Sequence, residues 1–143
     1  MGMDVYGKKP HSSKGEYFRN NVWWWHPLWD YCCTVDPSLI QKVPEAHYNS
    51  GDGLDAFDAR QLAFKLAEEI KNGRTDQYIV DYYKSLEVLP KEPCRMILED
   101  HANCDLCSGS GETEPFEKNY HIDAKNVVEF KEFLMDCGGF SIC

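Results

Sequence analysis

Apolar and polar positions alternate in Met3-Asp4-Val5-Tyr6, which predicts a short strand; Lys8-Lys9-Pro10 stops it, and His11–Gly15 forms a turn. A second strand follows at Glu16-Tyr17-Phe18-Arg19, and a connection this short makes the two a hairpin. The period then changes. Leu28, Tyr31 and Cys32 share one face of a helix from Pro27 to Val35, where the fixed φ of Pro27 suits a first turn and biases His26 toward an extended backbone. Asp36-Pro37-Ser38 opens a short helical turn, and Pro44 to Gly51 is a long loop. The clearest amphipathic helix carries Leu54, Ala59, Leu62, Ala63, Leu66 and Ile70, with Asp52 as its N-cap, Asp55 at its positive end and Asn72-Gly73 as its stop. Ile79, Tyr82, Tyr83 and Leu86 share the face of another helix, Asp76 to Leu86, ended by Pro90 and Pro93. Tyr120-His121-Ile122 reads as a short strand, and Asp123 as the cap of a last helix, Ala124 to Asp136, whose inner stripe is Val127, Phe130, Leu134 and Cys137. Gly138-Gly139 stops it, and Phe140–Cys143 alternates as a final strand.

These elements define an α+β fold: one compact domain over residues 1–143, with three to four helices packed on a small sheet of short strands drawn from both ends of the chain. A Cys-rich loop, 94–113, is inserted before the C-terminal helix. The length of 143 residues fits one domain with a real core. No apolar run approaches the roughly 18–20 residues that span a bilayer, and the first ten residues carry no apolar core of signal-peptide length. The expectation is a cytoplasmic protein with no membrane partner. The 24 acidic against 15 basic residues give a net charge of −9, which argues against nonspecific nucleic-acid binding, since that affinity comes from Lys and Arg neutralising phosphates.

Seven cysteines in a reducing compartment are thiols or metal ligands rather than bridges, and an odd number cannot all pair within one chain. The sharpest spacing is Cys94-x6-His101-x2-Cys104-x2-Cys107, followed by Gly109 and Gly111. Three thiolates and an imidazole suit one tetrahedral zinc ion, and the glycines let the backbone fold around it. With four protein ligands such a zinc is structural, because catalytic zinc keeps an open position for water. Cys32 and Cys33 are alternative donors, and a loop of free thiols is the plain alternative. A thioredoxin-like pair is disfavoured, since Gly-Ser-Gly after Cys107 does not continue a helix.

All four tryptophans fall between Trp23 and Trp29, flanked by Arg19, Asn20, Asn21 and His26. Consecutive side chains diverge in either helix or strand, so Trp23, Trp24 and Trp25 cannot all enter one core. The rings left outside, with Arg19, Asn20, Asn21 and His26, are a candidate surface for a ligand or partner; a core hub is the competing reading. Gly51-Asp52-Gly53 is no calcium loop, because Tyr48 and Ala59 would stand where such a loop needs Asp and Glu; nor is it a Walker loop. It reads as a helix entry whose N–H groups could meet an anion. Cys32 or Cys33 as nucleophile, with His26 or His47 as base, is geometrically open in sequence but carries no motif.

The block Met1-Gly2-Met3-Asp4-Val5-Tyr6-Gly7-Lys8-Lys9-Pro10, then Tyr17-Phe18-Arg19-Asn20-Asn21-Val22-Trp23-Trp24-Trp25 and Pro27-Leu28, resembles an uncharacterised family of small proteins from tailed phages and bacteria. The Gly-Asp-Gly-Leu entry, the Cys-x-x-Cys-x-Gly-x-Gly knuckle and the closing Gly-Gly-Phe strand fit the same pattern. The resemblance carries no activity with it. It implies a phage-encoded host-interaction or anti-defence factor, by association rather than mechanism. The leading expectation is therefore a zinc-stiffened binding protein that engages a host protein, preferably a basic nucleic-acid-handling one, or a small anionic ligand. The alternative is an enzyme acting on a nucleotide or phosphorylated substrate, with Arg19 on phosphate, Trp25 stacking and His26 as acid or base.

Overall fold

A computed structural model describes residues 2–94 and 109–143. The fold is α+β, with five α-helices and a small antiparallel sheet among the described residues. β1 (Gly2–Gly7) and β2 (Tyr17–Asn21) form the expected hairpin, with Val5 opposite Phe18. Met3, Val5 and Phe18 point into the core.

α1 runs from Val22 to Val35 and so begins well before Pro27. Its N-cap is Asn21, whose side-chain oxygen accepts from the N–H groups of Trp23 (3.0 Å) and Trp24 (3.3 Å). Pro27 therefore sits inside the helix, where it supplies no N–H for the carbonyl of Trp23. That carbonyl accepts instead from the backbone N–H of His121 at 2.9 Å. The expected strand Tyr120–Ile122 is absent for the same reason: this segment spends its hydrogen bonding on a helix carbonyl, not on a sheet ladder.

α2 is the short helix Leu39–Lys42, and α3 spans Ala56–Lys71. The cap of α3 is Asp55, whose carboxylate accepts from the N–H of Asp58 at 2.8 Å, not Asp52 as the spacing suggested. Asp52 is needed elsewhere. Residues 51–55 run antiparallel to the strand at the C-terminal end, with Gly51 N–H donating to the Ile142 carbonyl (2.7 Å), Ile142 N–H to Asp52 (2.7 Å) and Phe140 N–H to Leu54 (2.9 Å). Gly53 permits this approach, since a Cβ there would stand 1.8 Å from the Phe140 carbonyl oxygen.

α4 spans Arg74–Glu87, and the short strands β3 (Glu92–Pro93) and β4 (Glu112–Thr113) pair antiparallel. α5, Ala124–Asp136, is capped by Asp123, and β5, Phe140–Ile142, pairs with β1, giving the sheet order β2-β1-β5. α3 packs on α5. The expected inner stripe of α5 is buried in full, and Phe133 joins it. Two compact units result. One holds the chain up to Val80 together with Tyr120–Cys143; the other, Asp81–Asn119, holds the end of α4, the β3–β4 pair and a 3-10 turn at Phe116–Asn119.

Gly53→Ala is expected to destabilise the protein by about 1–3 kcal/mol, the usual cost of forcing atoms into a filled space. Denaturant titration reads this directly; a loss below about 0.5 kcal/mol, the range of neutral surface changes, would mean that the 51–55 segment moves off β5 without cost.

Candidate functional site

The last residues of β2 lead straight into α1, and Asp123 leads into α5, so two helix starts lie side by side. Each is closed by its own cap: Asn21 on α1, and Asp123, which accepts from Asn126 N–H at 2.7 Å, on α5. A reciprocal amide pair ties them together. Asn20 Nδ2 donates to Asn126 Oδ1 at 3.0 Å, and Asn126 Nδ2 donates to Asn20 Oδ1 at 2.9 Å. Asn126 is buried, so this pair satisfies polar groups that would otherwise be costly to desolvate.

Over this scaffold lies an open groove of about 330 Å³. Arg19 and Trp24 form one side of its lining, and Lys125 and Glu129 contribute from α5. Arg19 spends only its Nε on Asp4, at 3.3 Å, and remains half exposed. Lys125 stands 3.9 Å from Glu129, a loose exposed pair of the kind that contributes little. The Trp24 ring lies 5.2 Å from the His121 ring, and its indole N–H has no acceptor among the described residues. The groove thus presents two cations, the carboxylates of Asp123 and Glu129 and an open indole N–H on a pre-formed frame.

Four of the seven candidate surface residues, Arg19, Asn20, Asn21 and Trp24, come together here. Trp23 does not line the groove; its ring packs 5.0 Å from that of Tyr120. Trp25 has no exposed surface, and its Nε1–H donates to the Ala46 carbonyl at 2.9 Å. It is a core residue and cannot stack on a ligand. His26 lies outside the groove as well and faces His47. Arg19 lines this groove and His26 does not, so the groove does not bring the two together. The residues that sequence reasoning missed are Lys125, Asn126 and Glu129. Asn126 left a trace in the sequence, as a polar residue beside the apolar stripe at the third position after the cap.

His26 and His47 bond through their Nδ1 atoms, and His47 Nε2 lies 3.2 Å from Asp30 Oδ1. A carboxylate only accepts, so His47 donates from Nε2; its Nδ1, when neutral, then accepts from His26 Nδ1–H. Burial, and then the neighbouring His47, hold the His26 pKa below its ordinary value against the opposing charge of Asp30. Cys33 stands near this chain, but burial, with Asp30 and then Asp36, pushes its thiol up to about 11. Cys32 is fully buried, and that burial raises its thiol well above the ordinary value. Both thiols are protonated at neutral pH, the opposite of what an activated nucleophile needs.

Of the proposed zinc ligands, Cys94 is half-buried after β3, with its backbone N–H on the Gly111 carbonyl at 2.8 Å. His101, Cys104 and Cys107 lie outside the described residues. Gly111 takes a left-handed φ of 75°, a conformation that favours glycine. Among the described residues no group of three or more His, Cys, Asp or Glu side chains is arranged to hold a metal ion. No helix among them is long and apolar enough to cross a membrane. No protein-family model, curated protein or solved structure matches the chain.

The lowered His26 pKa has a defined consequence for stability. The folded protein keeps His26 neutral while the unfolded chain takes up a proton near about pH 6.5, so the stabilisation is complete above that pH and is lost as the pH falls through the folded value. Denaturation midpoints from pH 8 to 5 are expected to fall in the wild type and to fall less in His26→Gln. Parallel pH profiles for the two proteins would refute this.

Proposed function

We propose that the protein is a binding protein whose Arg19–Trp24 groove takes a segment of a protein partner. The observation that carries this reading is the coincidence of open binding valences with a rigid frame. Arg19, Lys125 and the Trp24 N–H remain available, while the Asn20–Asn126 pair and the two helix caps hold the walls in place. Tryptophan and arginine are the side chains that dominate binding energy at interfaces, and a frame ordered beforehand lowers the cost of association. The −9 charge favours a basic partner through long-range steering. The resemblance to small phage and bacterial proteins supports a bacterial host as the source of that partner, in a host-interaction or anti-defence role. A small anion, carboxylate or phosphate, could engage the same Arg19 and Lys125.

The second part of the proposal is a structural zinc ion on Cys94, His101, Cys104 and Cys107 that stiffens the 94–113 loop. Its support is the donor set and spacing, together with the glycine turn at Gly111.

Affinity capture from a bacterial lysate, followed by titration of the purified partner, tests the groove. Trp24→Ala and Arg19→Glu are each expected to weaken binding by at least about 30-fold, the size of an interface hot spot. Added salt is expected to weaken it further. A partner held equally by wild type and both variants would overturn the reading.

Metal analysis tests the zinc. Protein from zinc-replete cells is expected to carry about one zinc per chain, as one four-ligand site requires, and Cys104→Ser to lose it with a drop in melting temperature. Metal-free protein with every thiol titrating freely would reject the site.

A further inference from the structure

A second cavity, of about 210 Å³, lies between α1 and the segment that follows α2. Trp29, Ile40, Val43, Pro44 and Ala46 make it largely apolar. Trp29, Val43 and Ala46 are almost fully buried, whereas Ile40 is 62% exposed, an apolar side chain left in water. The cavity also holds a carboxylate. Asp30 is exposed over 65% of its side chain, and its hydrogen-bond partner is the imidazole of His47.

The charge of Asp30 is unbalanced. Asp4 has Arg19, Asp36 has Lys65 and Asp58 has Lys42, each within ion-pair distance, but no Lys or Arg among the described residues pairs with Asp30. Its field reaches its neighbours: it helps to raise the Cys33 thiol and the Tyr78 hydroxyl, and it opposes the lowering of His26. Apolar walls beside one unbalanced carboxylate complement a side chain with an aliphatic stem and a cationic head. Of the two that qualify, arginine fits better. Its guanidinium is planar and weakly hydrated, can take both carboxylate oxygens through parallel N–H bonds, and stacks on a flat ring such as that of His47.

We propose that this cavity is an anchor pocket for an arginine side chain of a basic protein partner, with the stem against Ile40, Val43 and Pro44 and the guanidinium on Asp30. The proposal rests on the binding-protein reading but uses a different part of the surface, so the two can fail separately.

The test is an NMR titration of the full ¹⁵N-labelled chain at low salt with the blocked tripeptides acetyl-Gly-Arg-Gly-amide, its lysine and norleucine analogues, and acetyl-Gly-Gly-Gly-amide. The arginine peptide is expected to give saturating shifts at Ile40, Val43, His47 and the Trp29 indole. The norleucine peptide is expected to bind at least about tenfold more weakly, as is the arginine peptide to Asp30→Asn, the loss expected for one charge-assisted bond. Ile40→Ala, at a side chain too exposed to be needed for folding, should weaken the arginine peptide as well. Trp24→Ala and Arg19→Glu should leave these shifts unchanged, which keeps the groove and the pocket apart. Several results would each overturn the proposal: no saturating shift, shifts scattered over the acidic surface, equal binding of norleucine, stronger binding of lysine, or indifference to Asp30→Asn. Peptide-free shifts at these residues that grow with protein concentration would assign the pocket to a second copy of the chain and would overturn it too.

Discussion

A tryptophan can be buried completely only where its indole N–H finds an acceptor, and Trp25 finds one in the carbonyl of Ala46 at 2.9 Å. Around that ring the first unit is organised. Trp29 stacks on it at 5.7 Å, and Phe130 meets it edge-on at 5.5 Å. Phe130 in turn touches Phe18 of β2, Phe133 of α5 and Phe140 of β5. Helix, sheet and the loop that carries Ala46 are thereby fixed by one aromatic cluster. Trp25 aligned inward also determines its neighbours, because successive residues of a helix diverge by about 100° and Trp23 and Trp24 must then leave the core.

The outward-turned tryptophans meet a second constraint, set by Pro27. Its missing N–H leaves the Trp23 carbonyl to be satisfied from elsewhere, and the N–H of His121 does so. That bond holds the segment before α5 against the start of α1. With Asp123 following directly, the two capped helix starts are brought together, and Asn20 can reach Asn126. A proline that would ordinarily weaken a helix here draws a distant segment in and so helps to build the groove.

Much of this was legible in the sequence. The hairpin, the terminal strand, the amphipathic faces of α3 and α5 and the α+β class follow from period, because the residues that set them are neighbours along the chain. Errors arose where a tertiary contact or a stronger cap nearby overrode a local signal. Asp52 looks like a cap, but its backbone pairs with β5 and the capping passes to Asp55. Pro27 looks like a first turn, but Asn21 caps the helix earlier. Half of the groove was visible as Arg19, Asn20, Asn21 and Trp24. The other half was not, because Asn20 and Asn126 stand 106 positions apart and nothing in either segment names the other.

α1 shows how one helix serves both the core and the surface. Trp25, Leu28, Trp29 and Cys32 are buried, while His26, Asp30 and Cys33 recur at i, i+4 and i+7 on a second stripe. That polar stripe is narrow because Trp25, Pro27, Leu28, Trp29, Tyr31 and Cys32 between and beside its members are buried. Burial raises the Cys33 thiol and lowers His26, so two of its three groups are held neutral and only Asp30 keeps a charge. The same aromatic core that orders the fold thus isolates a single carboxylate beside an apolar cavity. The groove at the other end of α1 carries mixed charge. Two concave surfaces of different character follow from the placement of Trp25, and a substitution that loosens that ring would act on both.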